Sequence, residues 1–141
     1  MAKQPINVTV GTLTLDRDIH AGAVTTFNRA AGCTVTLPAS AGKGDEYVLF
    51  VGTTISSNSF KVQVANANDT LAGGVAISTD IAGVTMLTGG TDDTITMSGS
   101  TTGGVAGSWV KLVDVSVGKW MVSGFLASTG TEATPFSAAV S

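Results

Sequence analysis

The sequence predicts an all-β protein, a jelly-roll-like β-sandwich of about 8–10 short antiparallel strands. Three observations indicate this fold. Turn-forming residues recur at short intervals along the 141 residues. The segments between them alternate apolar and polar residues with the period of two that marks a half-buried strand, and no stretch of about 11 residues has a helical period. Many short strands with regular turns bury their apolar faces in two packed sheets or a closed barrel.

Ten candidate strands follow one another along the chain. The first, residues 8–15, places its valines and leucines near one face and its threonines on or near the other. The other nine span residues 23–28, 33–37, 46–52, 60–65, 75–78, 84–87, 94–97, 108–115 and 119–126. The breaks between them are rich in glycine, proline, asparagine, aspartate and serine, which favour turns.

The last two candidate strands predict a hairpin, because residues 109–115 and 119–125 flank the short turn Ser116-Val117-Gly118. Period-two alternation places Trp109 with Val113 and Val115 on one strand, and Trp120 with Val122 and Gly124 on the other. We expect both tryptophans to close the hydrophobic core. The alternative role for an exposed tryptophan is a hot spot in a contact surface.

Both ends of the chain read as extended arms, residues 1–7 and 128–141, around a domain of residues 8–127. Polar, small-residue termini are commonly frayed. Here the C-terminal arm carries apolar anchors, so we expect it to lie on a neighbouring molecule. Residues 98–107 are expected to form a flexible loop. The candidate partner contacts are Pro5, Ile6, Thr102, Gly103, Phe136 and Val140.

The composition favours a protein with large neutral surfaces. Charged residues make up 12% of the chain, about half the usual share. A folded monomer of this mass exposes on the order of 6,700 Å² of surface to solvent. Divided among its ten acidic and seven basic residues, this leaves roughly 400 Å² of surface for each charged residue. Large neutral patches of this kind are often contact surfaces.

Several function classes are disfavoured by the same composition. The net charge is −3 and the basic residues are scattered, so nucleic-acid binding is not expected. The N-terminal residues lack an apolar signal-peptide core, and no apolar stretch approaches the length that spans a bilayer. Neither secretion by a signal peptide nor a membrane span is expected. Cys33 is the single cysteine, which excludes an intrachain disulfide and fits synthesis in a reducing cytoplasm.

No catalytic, cofactor or metal site is expected. His20 is the single histidine; it lies in a polar segment that predicts a surface turn, and no Gly-x-Ser-x-Gly elbow is present. Asp16, Asp18 and His20 are disfavoured as metal ligands because a strand-to-turn segment spreads their side chains. The acidic and amide residues of 66–69 and 92–93 lack the spacing of a calcium loop and predict Asx turns instead.

The segment 31–51 resembles a pattern common in virion proteins of tailed bacteriophages: Ala-Gly, a short β run, Leu37-Pro38, a small-residue turn with glycine, and an aromatic strand. Residues 60–74, 93–104, 107–110 and 129–136 resemble small head decoration, or cement, proteins of short-tailed phages. The resemblance covers most of residues 12–141. It implies a jelly-roll-like sandwich without catalytic residues that assembles as dimers or trimers. It also implies a location on the outer surface of the capsid, bound to the major capsid protein across capsomer boundaries.

Two other classes of function stay open. A head-fibre or tail-fibre tip has a similar β-rich composition, but it normally adjoins a coiled-coil or repeat stalk, which this sequence lacks. A carbohydrate-binding sandwich would use exposed aromatic residues such as Trp120 or Tyr47 as stacking platforms. A small hydrolase is disfavoured because no site for it can be identified.

Overall fold

The computed structural model describes residues 3–140, which form twelve strands and one helical turn. The strands are β1 (Ile6–Val8), β2 (Thr12–Thr14), β3 (Val24–Phe27), β4 (Cys33–Thr36), β5 (Glu46–Val51), β6 (Phe60–Gln63), β7 (Thr70–Ser78), β8 (Gly83–Leu87), β9 (Thr94–Met97), β10 (Trp109–Ser116), β11 (Lys119–Ala127) and β12 (Phe136–Ser137). The helical turn is α1 (Arg17–His20). Within this range no helix is long and apolar enough to cross a membrane.

The strands form two mixed sheets around one core. The larger sheet has seven strands in the order β1-β3-β5-β10-β11-β7-β8, and the smaller sheet has five in the order β12-β9-β6-β4-β2. Buried side chains from both sheets belong to one hydrophobic cluster. Phe27 of the larger sheet meets Phe60 of the smaller sheet edge to face, with ring centroids 4.6 Å apart. The predicted all-β architecture is confirmed, and its two sheets share one core as in a sandwich.

The first six strands alternate between the two sheets. Each strand pairs in parallel with the strand two positions before it: Ile6 of β1 lies beside Thr25 of β3, and Thr12 of β2 beside Thr34 of β4. The chain therefore winds as a flattened coil. Successive turns of the coil approach so closely at Gly32 that a β-carbon there would lie 2.0 Å from the carbonyl oxygen of Ser59.

The expected all-antiparallel arrangement is wrong. Among the described residues, the pairs β1–β3, β3–β5, β2–β4, β4–β6 and β7–β11 are parallel. The single strand predicted over residues 8–15 is also divided, since β1 lies in the larger sheet and β2 in the smaller one. Period-two alternation reports the face of a residue and not the neighbour of its strand. The jelly-roll topology is not confirmed by this strand order.

The predicted hairpin of β10 and β11 is confirmed, and it occupies the middle of the larger sheet between β5 and β7. Trp120 points into the core, is 1% exposed and lies edge to face with Tyr47. Val110 and Leu112 are also fully buried, so alternation along β10 places Trp109 on the opposite, outer face. The expectation that both tryptophans close the core is therefore wrong for Trp109.

Both predicted arms pair with the domain. Ile6 belongs to β1 and packs against the core, and β1 crosses the expected boundary between residues 7 and 8. At the other end, Phe136 belongs to β12, a strand that the sequence pattern did not indicate. It lies beside Ile95 of β9 and is 6% exposed. The Asp93 carboxylate accepts hydrogen bonds from the amides of Ala139 and Val140. The C-terminal segment up to residue 140 is thus held on its own chain.

Candidate docking site

The residues considered for catalysis or metal binding have structural roles. His20 is buried, and its Nδ1 accepts a hydrogen bond from the amide of Asp16 at 2.8 Å. Asp16 caps α1 by accepting from the amide of Asp18 at 2.8 Å. The prediction of a surface-turn histidine is wrong because the helical turn folds His20 back onto the chain. Among the described residues, no cluster of His, Cys, Asp and Glu side chains is suited to hold a metal ion.

The acidic and amide residues of the loops stabilise turns. Asn66 Oδ1 accepts from the amide of Asn68 at 2.9 Å, which is an Asx turn as predicted. Asp92 Oδ2 accepts from the amide of Gly89 at 2.7 Å. Asp69 is buried and accepts from the amide of Ser40 at 2.9 Å. These side-chain oxygens therefore accept hydrogen bonds from backbone amides of the chain itself.

Asp114 is the buried carboxylate with the most backbone partners, a role that the sequence pattern did not indicate. It accepts hydrogen bonds from the amides of Ala41, Gly42 and Lys43 and from the hydroxyl of Ser40, at 2.8–3.1 Å. Burial alone raises the pKa of Asp114, but these hydrogen bonds to the charged form outweigh it and hold the pKa below its usual value. Asp114 fixes the 40–43 turn against the β10–β11 hairpin.

The predicted partner contacts do not form one surface. Pro5 is exposed and Ile6 half-buried at the β1 edge of the larger sheet. Gly103 is buried against Leu126, and Phe136 belongs to the core, so neither presents a side chain for docking. Val140 is half-buried against the core.

The predicted flexible loop at residues 98–107 is internally hydrogen-bonded. Thr102 Oγ1 accepts from the amide of Ser98 at 2.8 Å. The amide of Gly99 donates to the carbonyl oxygen of Gly103 at 2.7 Å. Thr102 is half-buried. Hydrogen bonds within the loop therefore hold residues 98–103 in a turn.

The outer face of the larger sheet carries a row of aromatic side chains. Phe50 of β5 lies beside Trp109 of β10, which lies beside Phe125 of β11. Phe50 and Trp109 are half-buried by their neighbours, and Phe125 is 38% exposed. Three aromatic side chains therefore lie in one row across three adjacent strands, on the side of the sheet that faces away from the core. We call this surface the outer face.

Further exposed apolar residues lie on the same side of the sheet as the aromatic row. Val24 of β3, Met121 of β11 and Leu87 of β8 are exposed hydrophobic residues, and alternation places them on the same side of the sheet. The formal charges on this surface come from Glu46, paired with Lys111 at 3.3 Å, and from Lys119, whose Nζ donates to the hydroxyl of Thr70 at 2.8 Å. The apolar residues of the outer face are thus accompanied by three charged side chains, two of which form an ion pair.

The dimensions of the outer face suit a protein partner. From β3 to β8 the sheet spans five inter-strand spacings of about 4.8 Å, and the nine residues of β11 extend about 30 Å. Multiplying this width by the length of β11 gives an upper limit of about 700 Å² for the outer face, near the roughly 800 Å² that each partner contributes to a standard protein–protein interface.

A cavity of about 540 Å³ lies at the β7–β8 turn, lined by Thr79, Asp80, Ile81, Ser128, Thr129 and Gly130. Asp80 is the titratable group in this lining. A single carboxylate beside hydroxyl groups provides neither a nucleophile with its base nor a pair of facing acids. The cavity thus lacks the constellation of an active site.

The outer face is the surface of the described residues on which a docking function is best supported. The alternation of residues along β10 could have indicated this face. Val110 and Leu112 are apolar residues suited to the core, and side chains alternate between the faces of a strand, so Trp109 belongs on the face opposite to theirs. Comparison of the chain with protein-family models, with curated proteins and with solved structures finds no match in any of the three.

Proposed function

We propose that this chain is a non-enzymatic virion structural protein that binds the outer surface of a phage capsid and stabilises it by bridging neighbouring capsomers. Its partner in this proposal is the major capsid protein, and it acts on the virion after synthesis in the host cytoplasm. The observation that carries the proposal is the outer face, with Phe50, Trp109 and Phe125 aligned across three strands.

Physical chemistry supports a docking role for this surface. Tryptophan is enriched among the residues that dominate binding energy at interfaces, and such residues lie near the centre of the contact. Trp109 lies on the central hairpin, flanked by the other two aromatic residues. Covering the outer face removes apolar area from water, and each Å² removed contributes roughly 25 cal/mol of favourable free energy. The loss of translational, rotational and side-chain freedom on binding offsets much of that gain.

The sheet architecture also suits a stabilising clip. The core joins both sheets, and β1 and β12 hold both ends of the described range on the domain. A rigid body loses little conformational entropy on docking. When such a body contacts two capsomers, the second contact forms at high effective concentration. We further propose a homo-oligomer, a dimer or a trimer. The jelly-roll connectivity implied by the family resemblance stays a prediction.

A carbohydrate-binding module or fibre tip is the second candidate, and exposed aromatic residues are the observation that favours it. Tyr47 and Trp120, the platforms considered from the sequence, are fully buried. A stacking platform would instead use Trp109 or Phe125 on the outer face. Reproducible binding on a glycan array, lost in the Trp109→Ala variant, would favour this candidate over capsid decoration.

Capsid pelleting tests the proposed function. Purified protein is mixed with expanded, undecorated capsids of the phage whose genome encodes the chain, sedimented, and imaged by cryo-electron microscopy. We expect regular density on the outer shell and at least tenfold weaker binding for Trp109→Ala. The matched control is Val117→Ala, since Val117 is 81% exposed in the β10–β11 turn. Wild-type protein that stays in the supernatant, or Trp109→Ala that binds as wild type does, contradicts the proposal.

A further inference from the structure

The β8 edge of the larger sheet is an unprotected edge strand. Within the described range β8 pairs with β7 alone, and it is the last strand of the sheet. It is five residues long, and Gly83, Val84, Thr85, Met86 and Leu87 carry no charge. Proteins usually protect exposed edge strands with charges, prolines, bulges or short length, and β8 has none of these.

The other three edges of the two sheets are better protected. β1 and β2 have three residues each, and β12 has two. Pro5 directly precedes β1 and Pro135 directly precedes β12, and proline cannot donate a backbone hydrogen bond to an added strand. β8 is therefore the edge best suited to pair with another chain.

The backbone groups that β8 offers can be assigned. The amide of Thr88 donates to the carbonyl oxygen of Gly73 at 3.0 Å, and the amide of Thr79 donates to the carbonyl oxygen of Ala82 at 2.8 Å. In an antiparallel pair every second residue bonds to the neighbouring strand, so the even-numbered residues 82–88 face β7. The amides and carbonyl groups of Gly83, Thr85 and Leu87 thus point away from the sheet.

We infer that β8 is a self-association edge, which pairs antiparallel with β8 of a second copy around a two-fold axis at Thr85. In this register Thr85 faces itself, and Gly83 faces Leu87 of the second copy. Each of the three pairs exchanges two hydrogen bonds, about six in total. The larger sheets of two copies then become continuous, and so do their outer faces.

Side-chain size and charge favour a second copy as the occupant. Leu87, which is 72% exposed, lies opposite a glycine in this register, and Val84 lies opposite Met86. Extending the same register places Ile81, which is 96% exposed, opposite Gly89. Like charges directly opposite each other destabilise a strand pair, and this register places no acidic side chain opposite another. A two-fold contact requires such self-complementarity.

The area of the contact sets its expected strength. A pair of five-residue strands covers much less than the roughly 800 Å² per partner of a standard interface. The dimer is therefore expected to be weak and concentration-dependent in solution. On a common surface, effective concentration strengthens it. The inference identifies the contact of the homo-oligomer proposed above, and it holds whether or not the chain binds capsids.

Directed disulfide formation tests the register. In a hydrogen-bonded antiparallel pair, opposite α-carbons lie about 5.5 Å apart, within disulfide reach. We expect Thr85→Cys to form a covalent dimer under mild oxidation at high protein concentration, at least tenfold faster than Val84→Cys. Val84 is also solvent-exposed, but on the other side of the strand it faces Met86 of the second copy. The native Cys33 is buried, so it contributes little background.

A proline variant supplies the second measurement. Because the Thr85 amide points away from β7, Thr85→Pro keeps the internal β7–β8 bonds and removes a donor from the proposed contact. We expect wild-type protein to associate as concentration rises in sedimentation equilibrium, and Thr85→Pro to associate at least tenfold more weakly with an unchanged circular dichroism spectrum. Equal disulfide rates for the two cysteine variants, or a wild-type protein that stays monomeric at all concentrations, would overturn the inference. Capsid pelleting reports on the proposed function separately.

Discussion

The two tryptophans of the central hairpin differ in environment. Trp120 lies in the core against Tyr47, whereas Trp109 lies on the outer face between Phe50 and Phe125. Both residues belong to adjacent strands of one sheet, so strand geometry and not composition separates them. The comparison teaches that this sheet carries large aromatic side chains on both faces, although one core needs only one of them. The proposed docking role explains the aromatic side chains on the outer face.

The largest expected effect is the loss of the inward tryptophan. Trp120→Ala removes a fully buried ring and leaves a cavity, so we expect the free energy of unfolding to fall by about 3–5 kcal/mol in urea denaturation. Trp120→Phe is the control and should cost less, because Trp120 Nε1 has no hydrogen-bond partner among the described residues. An unchanged unfolding midpoint for Trp120→Ala would show that this ring does not support the core.

The C-terminal segment extends the comparison to a side chain expected to contact a partner. Phe136 is buried at the β12 edge, so Phe136→Ala should lower the free energy of unfolding by about 3 kcal/mol. Phe136→Leu, which keeps most of the apolar volume, should cost much less. If Phe136→Ala leaves thermal stability unchanged but weakens capsid binding, the residue serves a partner and not its own core.

Asp114 is expected to contribute stability that depends on pH. Asp114→Asn keeps the shape but places an amide among backbone N–H donors, so we expect a loss of about 2–3 kcal/mol at pH 7. The folded-state pKa of Asp114 is lowered, so its contribution is complete above the unfolded pKa of about 3.9 and is lost as the pH falls through the lower folded value. Urea unfolding of both proteins at pH 7 and below pH 4 measures this. A difference between the two proteins that does not shrink in acid would contradict the assigned role of the carboxylate.

The smallest expected effect on stability is that of the outward tryptophan. Trp109→Ala removes a half-buried ring from the outer face, and we expect its free energy of unfolding to change by only about 1 kcal/mol. The same substitution should strongly reduce capsid binding. The pair Trp109→Ala and Trp120→Ala thus separates docking from folding. Equal destabilisation by the two substitutions would place Trp109 in the core and remove the basis of the docking proposal.

Sequence alternation predicted most strands and their turns, because the side-chain period is local. The positions of β4, β5, β9 and the β10–β11 hairpin follow the predicted segments closely. Strand neighbours and directions were missed because the partners are distant: Ile6 pairs with Thr25, and Lys119 with Thr70. A short strand such as β12 has too few residues to show a period.

The candidate site could be predicted only in part, for a similar reason. Low charge correctly indicated neutral surfaces, and Trp109 was considered as a possible contact residue. The aromatic row itself depends on register, since Phe50 and Trp109 are distant in sequence and become neighbours only when β5 pairs with β10. The chosen contacts at Gly103 and Phe136 rested on the assumption that small-residue loops and termini are mobile. Here those segments fill their own core or turn.

The central position of the β10–β11 hairpin has a consequence for how the chain folds. The strands β1, β3 and β5 form one half of the larger sheet, β7 and β8 form the other, and the hairpin joins them although it is synthesised after both. Until the hairpin emerges, β5 and β7 each present an unpaired edge, a state that favours aggregation. Pairings over such long sequence separations also slow folding. Completion of the larger sheet is therefore expected late in folding, with insertion of residues 109–127 between its two halves.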